Sequence, residues 1–162
     1  MDVLICRDDL RHLHPTLTGW ELFGAHSGEL TPWQVGAELD PGTHDIWCRR
    51  DGGPWEFQFM VIELTSTEWI YRRDIRVRGS IDDLILNSTS GLPILAPEIQ
   101  LLYKSRTPRP KDEADFAVAL TALDQARQTW LLDALSLTDP NNPWLARLNA
   151  GQTSEANHQG MD

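Results

Sequence analysis

The chain has 162 residues, which is enough for one ordinary domain with a short tail but not for two full domains. A hydrophobic fraction of 41% with 23% charged residues, and no long apolar run, excludes a membrane span, a collagen-like repeat and wholesale disorder. Twenty-four acidic residues against 14 Lys and Arg give a net charge of -10, which disfavours nonspecific binding of nucleic acid or anionic lipid through a basic surface.

The two cysteines and the first residues bear on the compartment. Cys6 and Cys48 lie far apart and form no zinc-ligand pattern, so two reduced thiols are expected. The chain does not open with the basic and then apolar segment of a secretory leader. We therefore predict a cytoplasmic protein without a membrane partner.

Alternating and short apolar runs predict strands in the first half of the chain. The segments are 1–6, 20–25, 44–49, 55–62 and 68–72, with a loop between the second and the third and a short helix near Leu10. Asp51-Gly52-Gly53-Pro54 predicts a hairpin turn. In the strand after that turn, alternation puts Trp55, Phe57, Phe59 and Val61 on one core-facing side.

Helical signals dominate the second half. Ser80 is a predicted cap for a helix over 81–86, and Pro97 is a first-turn proline for a helix reaching Lys104. Further helices are predicted after Pro110 and over 125–137. The fold class is therefore α+β, with a mixed or antiparallel sheet in 1–79 and helices in 80–149 of a single domain, and residues 150–162 form a predicted disordered tail.

Two groups of charged residues stand out as candidates for chemistry. Asp2 and Asp45 lie on predicted strands, where a core-facing carboxylate must be hydrogen-bonded, paired or bound to a cation. The alternative for Asp2 is an exposed terminal residue with no ligand. The alternative for Asp45 is a salt bridge with Arg49, Arg72 or Arg73. Lys104 and Asp112 could converge on a phosphate-bearing ligand, or serve as a helix-end lysine and a first-turn acid.

The basic run 71–78 has two interpretations as well. Its charges protect an exposed strand edge, or they contact phosphates.

These segments resemble the nucleotidyltransferase superfamily with the polymerase-beta-like core, and within it the small bacterial proteins similar to aminoglycoside and lincosamide nucleotidyltransferases. Asp2-Val3-Leu4-Ile5 resembles the second half of the family's Asp-x-Asp strand. Asp45-Ile46-Trp47 resembles its third-carboxylate strand, and the segments around Lys104 and Asp112 resemble its late Lys and Lys-Asp motifs.

The resemblance implies that Asp2 and Asp45 are ligands of Mg²⁺, which accompanies an NTP as co-substrate. It also implies that Lys104 and Asp112 lie near the nucleotide, with Asp115 structural. The implied reaction is in-line transfer of a nucleoside monophosphate to a hydroxyl of a small molecule, with Asp45, or in its place Glu63, as the base.

The family's Gly-rich phosphate loop and first aspartate would precede Asp2, and the sequence does not contain them. Either the chain is shortened and Met1 is not the biological start, or it is a noncatalytic, degenerate member with a binding or regulatory role. The acceptor, the preferred NTP and the oligomeric state stay open.

Overall fold

Hydrogen-bonded strands fill the first half of the chain and helices most of the second, in a computed structural model that describes residues 1–13 and 16–156. This order confirms the α+β prediction at that level. The chain divides into two compact units, Met1–Arg73 and Asp74–Asp162. The boundary falls six residues before residue 80, where the change from sheet to helices was predicted.

The first unit is a mixed sheet. Its strands are β1 (Asp2–Cys6), β2 (Glu21–His26), β3 (Glu29–Trp33), β4 (Asp45–Arg49), β5 (Phe57–Leu64) and β6 (Glu68–Ile70). The order β3-β2-β4-β5-β6 is antiparallel throughout, and β1 pairs with β5 in parallel. The longest strand, β5, therefore has neighbours on both edges.

One face of this sheet is the core of the first unit. Side chains alternate between the two faces of a strand, so Ile46 and Cys48 of β4 lie on the same face as Phe59 and Val61 of β5. All four are buried, and Leu10 of the 3-10 helix Arg7–His12 packs in the same cluster. Burial of this apolar face accounts for the alternating pattern of the sequence.

Strand β3 lies in a segment that we predicted to be a loop, partly because of Pro32. A tight turn joins β2 to β3, with Ser27 and Gly28 at φ angles of 51° and 84°. Within the described residues β3 pairs only with β2, so it is an edge strand, where a proline costs no ladder hydrogen bond. The loop prediction was wrong because the edge position makes Pro32 acceptable.

Trp55 lies on the opposite face from the one that we predicted. Strand β5 begins only at Phe57, so strict alternation does not extend back to residue 55. The Trp55 ring contacts Phe23 and Trp47 edge to face, at centroid distances of 5.4 and 5.6 Å. Trp47 pairs with Gln58 and so faces away from the core cluster.

The second unit begins with short strands. They are β7 (Arg78–Ser80), β8 (Ile85–Asn87) and β9 (Pro93–Leu95), and β8 pairs with β9 as an antiparallel hairpin. The helix predicted over 81–86 is wrong beyond its first turn. The Ser80 hydroxyl does accept a hydrogen bond from the Asp82 amide, but the 3-10 turn Ile81–Asp83 then gives way to β8.

Four helices complete the described part of the second unit. They are α1 (Pro97–Lys104), α2 (Pro110–Ala122), α3 (Gln125–Thr138) and α4 (Trp144–Ala156). Pro97 and Pro110 are the first residues of their helices, and the Asp124 carboxylate caps α3 by accepting from the Arg127 amide. Phe116 of α2, Leu131 of α3 and Trp144 of α4 are buried.

Helix α4 covers part of the predicted tail. The backbone of residues 150–156 is helical, where disorder was predicted, and residues 157–162 lie outside the described residues. Among the helices described, none is both long and apolar enough to span a membrane.

Candidate functional site

Asp2, the predicted metal ligand, is exposed at the start of β1. It pairs in register with Gln58 of β5, so the two side chains point to the same face of the sheet. This is the face opposite the core cluster, because Val3 and not Asp2 pairs with the buried Phe59. The Asp2 carboxylate is therefore free of the apolar core and open to solvent.

Asp45 lies on β4, on the other edge of β5 from Asp2. It pairs with Met60, and Met60 and Gln58 are two residues apart, so Asp45 and Asp2 share a face of the sheet. From ordinary strand spacing and rise, two strands across and two residues along place their Cα atoms about 12 Å apart. The sheet thus brings the two predicted carboxylates to one surface but keeps β5 between them.

Among the described residues, these two carboxylates could hold a magnesium ion only with water or substrate phosphates as further ligands. Among the residues that the structure describes, no three His, Cys, Asp or Glu side chains form a metal-binding group. Mg²⁺ commonly takes one or two carboxylates, with water and substrate phosphates completing its shell. Asp2 meets that requirement as an exposed carboxylate, and the spacing disfavours a single ion bound directly by both Asp2 and Asp45.

The Asp45 carboxylate is held by an arginine from beyond β6. Arg72 Nη1 donates to Asp45 Oδ2 at 3.1 Å, and the two side chains are 17% and 27% exposed. Of the alternatives that the sequence left open, Arg72 is therefore the salt-bridge partner. Arg49 instead pairs with Glu21.

His44 precedes Asp45 and carries a buried nitrogen, Nδ1, with no hydrogen-bond partner among the described residues. Burial lowers the pKa of His44, and the positive charges of Arg72 and Arg7 lower it further, against weaker opposing effects of Glu63 and Asp45. The folded chain therefore favours the neutral imidazole. It lies within electrostatic reach of two arginine–carboxylate pairs.

Glu63, the alternative base, belongs to the second of these pairs. The Arg7 Nε donates to Glu63 Oε1, and the same guanidinium donates to the backbone oxygens of Asp40, Pro41 and Thr43. Arg7 thus ties the loop before β4 to the end of β5. In this structure Glu63 serves as an anchor for that arginine.

The other two predicted site residues, Lys104 and Asp112, lie together in the second unit. Lys104 Nζ at the end of α1 is 3.8 Å from Asp112 Oδ1 and forms a closer ion pair with Asp115. Asp112 is buried and accepts hydrogen bonds from the Arg109 amide and side chain at the start of α2. These bonds, and the charges of Arg109 and Lys104, lower the pKa of Asp112 to about 2.

Lys104 and Asp115 also line a cleft of about 580 Å³ in the second unit. Val118 and Leu123 contribute apolar surface to its lining, which also includes Arg127. The Arg127 charge is shared with Glu98 of α1. Lys104 is therefore a cleft residue as well as a helix-end lysine, whereas Asp112 is a buried helix cap.

Sequence reasoning missed the roles of Arg7 and His44 and left Arg72 as one of three choices. The available signal for Arg72 was its place in the basic run 71–78. For His44 the signal was its position next to a strand carboxylate. Neither signal could pair residues that are 27 positions apart, as Asp45 and Arg72 are.

Comparison with protein-family models, curated proteins and solved structures finds no match to this chain.

Proposed function

We propose that the protein is nucleotidyltransferase-like: it binds an NTP with Mg²⁺ and transfers the nucleoside monophosphate to a hydroxyl of a small molecule. The observation that carries the proposal is the common face of Asp2 and Asp45, on the two strands that flank β5. Carboxylates at two positions of one solvent-facing surface can serve separate roles on a triphosphate. The sequence resemblance supplies the reaction class.

In this proposal Asp2 holds the magnesium ion, which neutralises charge on the phosphates when bound. Asp45 accepts the proton of the attacking hydroxyl, and pyrophosphate leaves in line with the attack. Lys104 and Asp112 remain proposed nucleotide-site residues on the strength of the resemblance alone. Since they belong to the second unit, the test below addresses only Asp2 and the surface of the first unit.

The test measures binding of the four common NTPs with Mg²⁺ by calorimetry, and release of labelled pyrophosphate in the presence of a panel of aminoglycosides and lincosamides. We expect Asp2→Asn to weaken Mg-dependent binding at least tenfold. The matched control is Asp9→Asn, at another exposed aspartate of the first unit. Failure of every NTP to bind, or equal binding by Asp2→Asn and the native chain, would overturn the proposal.

A second candidate is a noncatalytic binding or regulatory domain with the same fold. The specific observation in its favour is that two of the predicted site carboxylates already form ion pairs within the chain. Asp45 pairs with Arg72, and Asp112 pairs with Arg109. The same experiment separates the two candidates. Saturable NTP binding without pyrophosphate release in any acceptor mixture supports the noncatalytic domain.

A further inference from the structure

Arg72 has unused hydrogen-bonding capacity. Its guanidinium makes one hydrogen bond, to Asp45, and the remaining donors have no partner among the residues described. Arg50, by comparison, uses two nitrogens on Glu56. A single bond leaves the pair weaker and less constrained than the two parallel bonds that a guanidinium can make with a carboxylate.

The free donors of Arg72 are accessible although most of the side chain is not. The side chain is 17% exposed, and its unbonded nitrogens are not among the fully buried polar atoms that lack a partner. They therefore reach solvent. An arginine whose side chain is mostly buried and which still presents free N–H groups has already lost part of the rotamer entropy that binding would cost.

A second polar group of the first unit also lacks a hydrogen-bond partner among the described residues. His44 Nδ1 is buried and unpartnered, and Arg72 is among the charges that act on this imidazole. A buried polar atom without a partner costs free energy unless something supplies the missing hydrogen bond. Arg72, which holds Asp45, and His44 therefore both carry hydrogen-bonding groups that no described residue uses.

We propose that Arg72 binds the polyphosphate of a nucleotide, and that the bound phosphate takes Arg72 away from Asp45. This deepens the proposed function and rests on it for the identity of the ligand. A planar guanidinium binds phosphate oxygens through two parallel bonds, whereas its present bond to Asp45 is single. The exchange frees the Asp45 carboxylate only when nucleotide is present.

The first experiment measures binding of tripolyphosphate, ATP and adenosine to the full chain in EDTA, so that Asp2 and a metal ion play no part. Saturable binding of tripolyphosphate and ATP, but not of adenosine, is expected. If the chain binds ATP but not tripolyphosphate, it recognises the base and sugar, and the proposal is overturned. Equal affinity for tripolyphosphate and ATP indicates that the site accepts any polyphosphate. Tighter binding of ATP indicates that its ligand is a nucleotide.

The variants test the exchange itself. Arg72→Gln should weaken tripolyphosphate binding at least tenfold, and Arg72→Lys less, because lysine keeps the charge but not the fork. Asp45→Asn should strengthen binding several-fold, because it removes the competing carboxylate. The control is Arg50→Gln, because Arg50 is an exposed arginine that also pairs with a carboxylate, that of Glu56. This variant should bind tripolyphosphate as the native chain does.

A purely structural Arg72–Asp45 pair predicts a different pattern. Arg72→Gln and Asp45→Asn would then both lose thermal stability, and neither would change the affinity for tripolyphosphate. That result would overturn the proposal. If Arg72→Gln does not fold, the tripolyphosphate affinities of Arg72→Lys and Asp45→Asn still test the exchange. Weaker binding of tripolyphosphate by Asp45→Asn would also contradict it.

These results are distinguishable from failure of the proposed function. Metal-free phosphate binding that depends on Arg72 but comes with no pyrophosphate release supports the phosphate site and not the transferase. Mg-NTP binding that depends on Asp2 but not on Arg72 supports the transferase and overturns the phosphate site.

Discussion

Phe116 of α2 and Trp144 of α4 stack with ring centroids 4.2 Å apart and planes 11° from parallel. Both rings are almost completely buried, and the Trp144 indole N–H donates to Glu113 at 2.8 Å. The stack joins the second helix of the unit to the last. It therefore makes a large contribution to the helical core.

Replacing Phe116 with Ala should reduce the free energy of unfolding by about 3 to 5 kcal/mol, because a buried aromatic side chain leaves a cavity. The measurement is urea unfolding followed by far-ultraviolet circular dichroism. Val118→Ala on the same helix is the control, since Val118 is 71% exposed and should change stability by less than about 0.5 kcal/mol. Equal effects of the two substitutions would contradict the observed packing.

The partly buried ion pair between Glu98 and Arg127 joins α1 to α3 through one arginine nitrogen, 3.1 and 3.2 Å from the two carboxylate oxygens. Arg127→Met leaves the Glu98 charge buried without this partner, and we expect a loss of about 3 to 5 kcal/mol. The double variant Glu98→Met with Arg127→Met should recover most of that loss.

The control for this pair is the same substitution at the exposed Arg106, which should be nearly neutral. Chemical unfolding of the four chains gives the comparison. A double variant that is no more stable than Arg127→Met would show that the cost lies in lost packing and not in the unpaired charge.

Asp112 should make stability depend on pH in the acid range. Its pKa is lowered from 3.8 to about 2 in the folded chain, mainly by hydrogen bonds from Arg109, so the folded state favours the ionised form. The stabilisation is complete above about pH 4, where the unfolded chain is ionised too, and declines as the pH falls towards 2.

Asp112→Asn should therefore be less stable than the native chain at neutral pH, and the difference should shrink between pH 4 and pH 2. Thermal unfolding at a series of pH values measures it. Asp133→Asn, at an exposed position of α3, serves as the control and should leave the pH dependence unchanged. A constant difference across the acid range would argue against this role of the carboxylate.

Arg7 should control the order of the loop before β4. Arg7→Met removes the hydrogen bonds to Glu63 and to three backbone oxygens of residues 40–43, and we expect a loss of about 2 to 3 kcal/mol. Amide hydrogen exchange should rise first in this loop. Arg7→Lys keeps the positive charge but not the several donors of the guanidinium, so its exchange rate should lie between those of the native chain and Arg7→Met. Unchanged exchange in Arg7→Met would show that Arg7 does not hold this loop.

Elements with strong local signals were predictable. The Asp51-Gly52 turn joins β4 to β5 as expected, with both residues at positive φ, α1 begins at Pro97 as its proline indicates, and α3 begins at Gln125 as predicted. Each of these signals acts within a few residues, through allowed backbone angles or a side-chain cap. Tertiary context is not needed to detect them.

Elements whose stability comes from a partner strand were missed. The hairpin of β8 and β9 replaces a predicted helix, although Ser80 caps the turn before it as expected. The edge strand β3 contains Pro32, which a local rule counts against any strand. In both cases pairing with a neighbouring strand outweighs the intrinsic preference of the segment.

Local patterns were enough to predict the α+β order, the alternating core face of the sheet and the starts of α1, α2 and α3, because burial periodicity and capping are local properties. The tertiary structure alone decided that Asp2 and Asp45 share a face and that Arg72 holds Asp45. Strand register and ion pairing join residues tens of positions apart, and many partners are compatible with the same local pattern. Only the folded sheet selects among them.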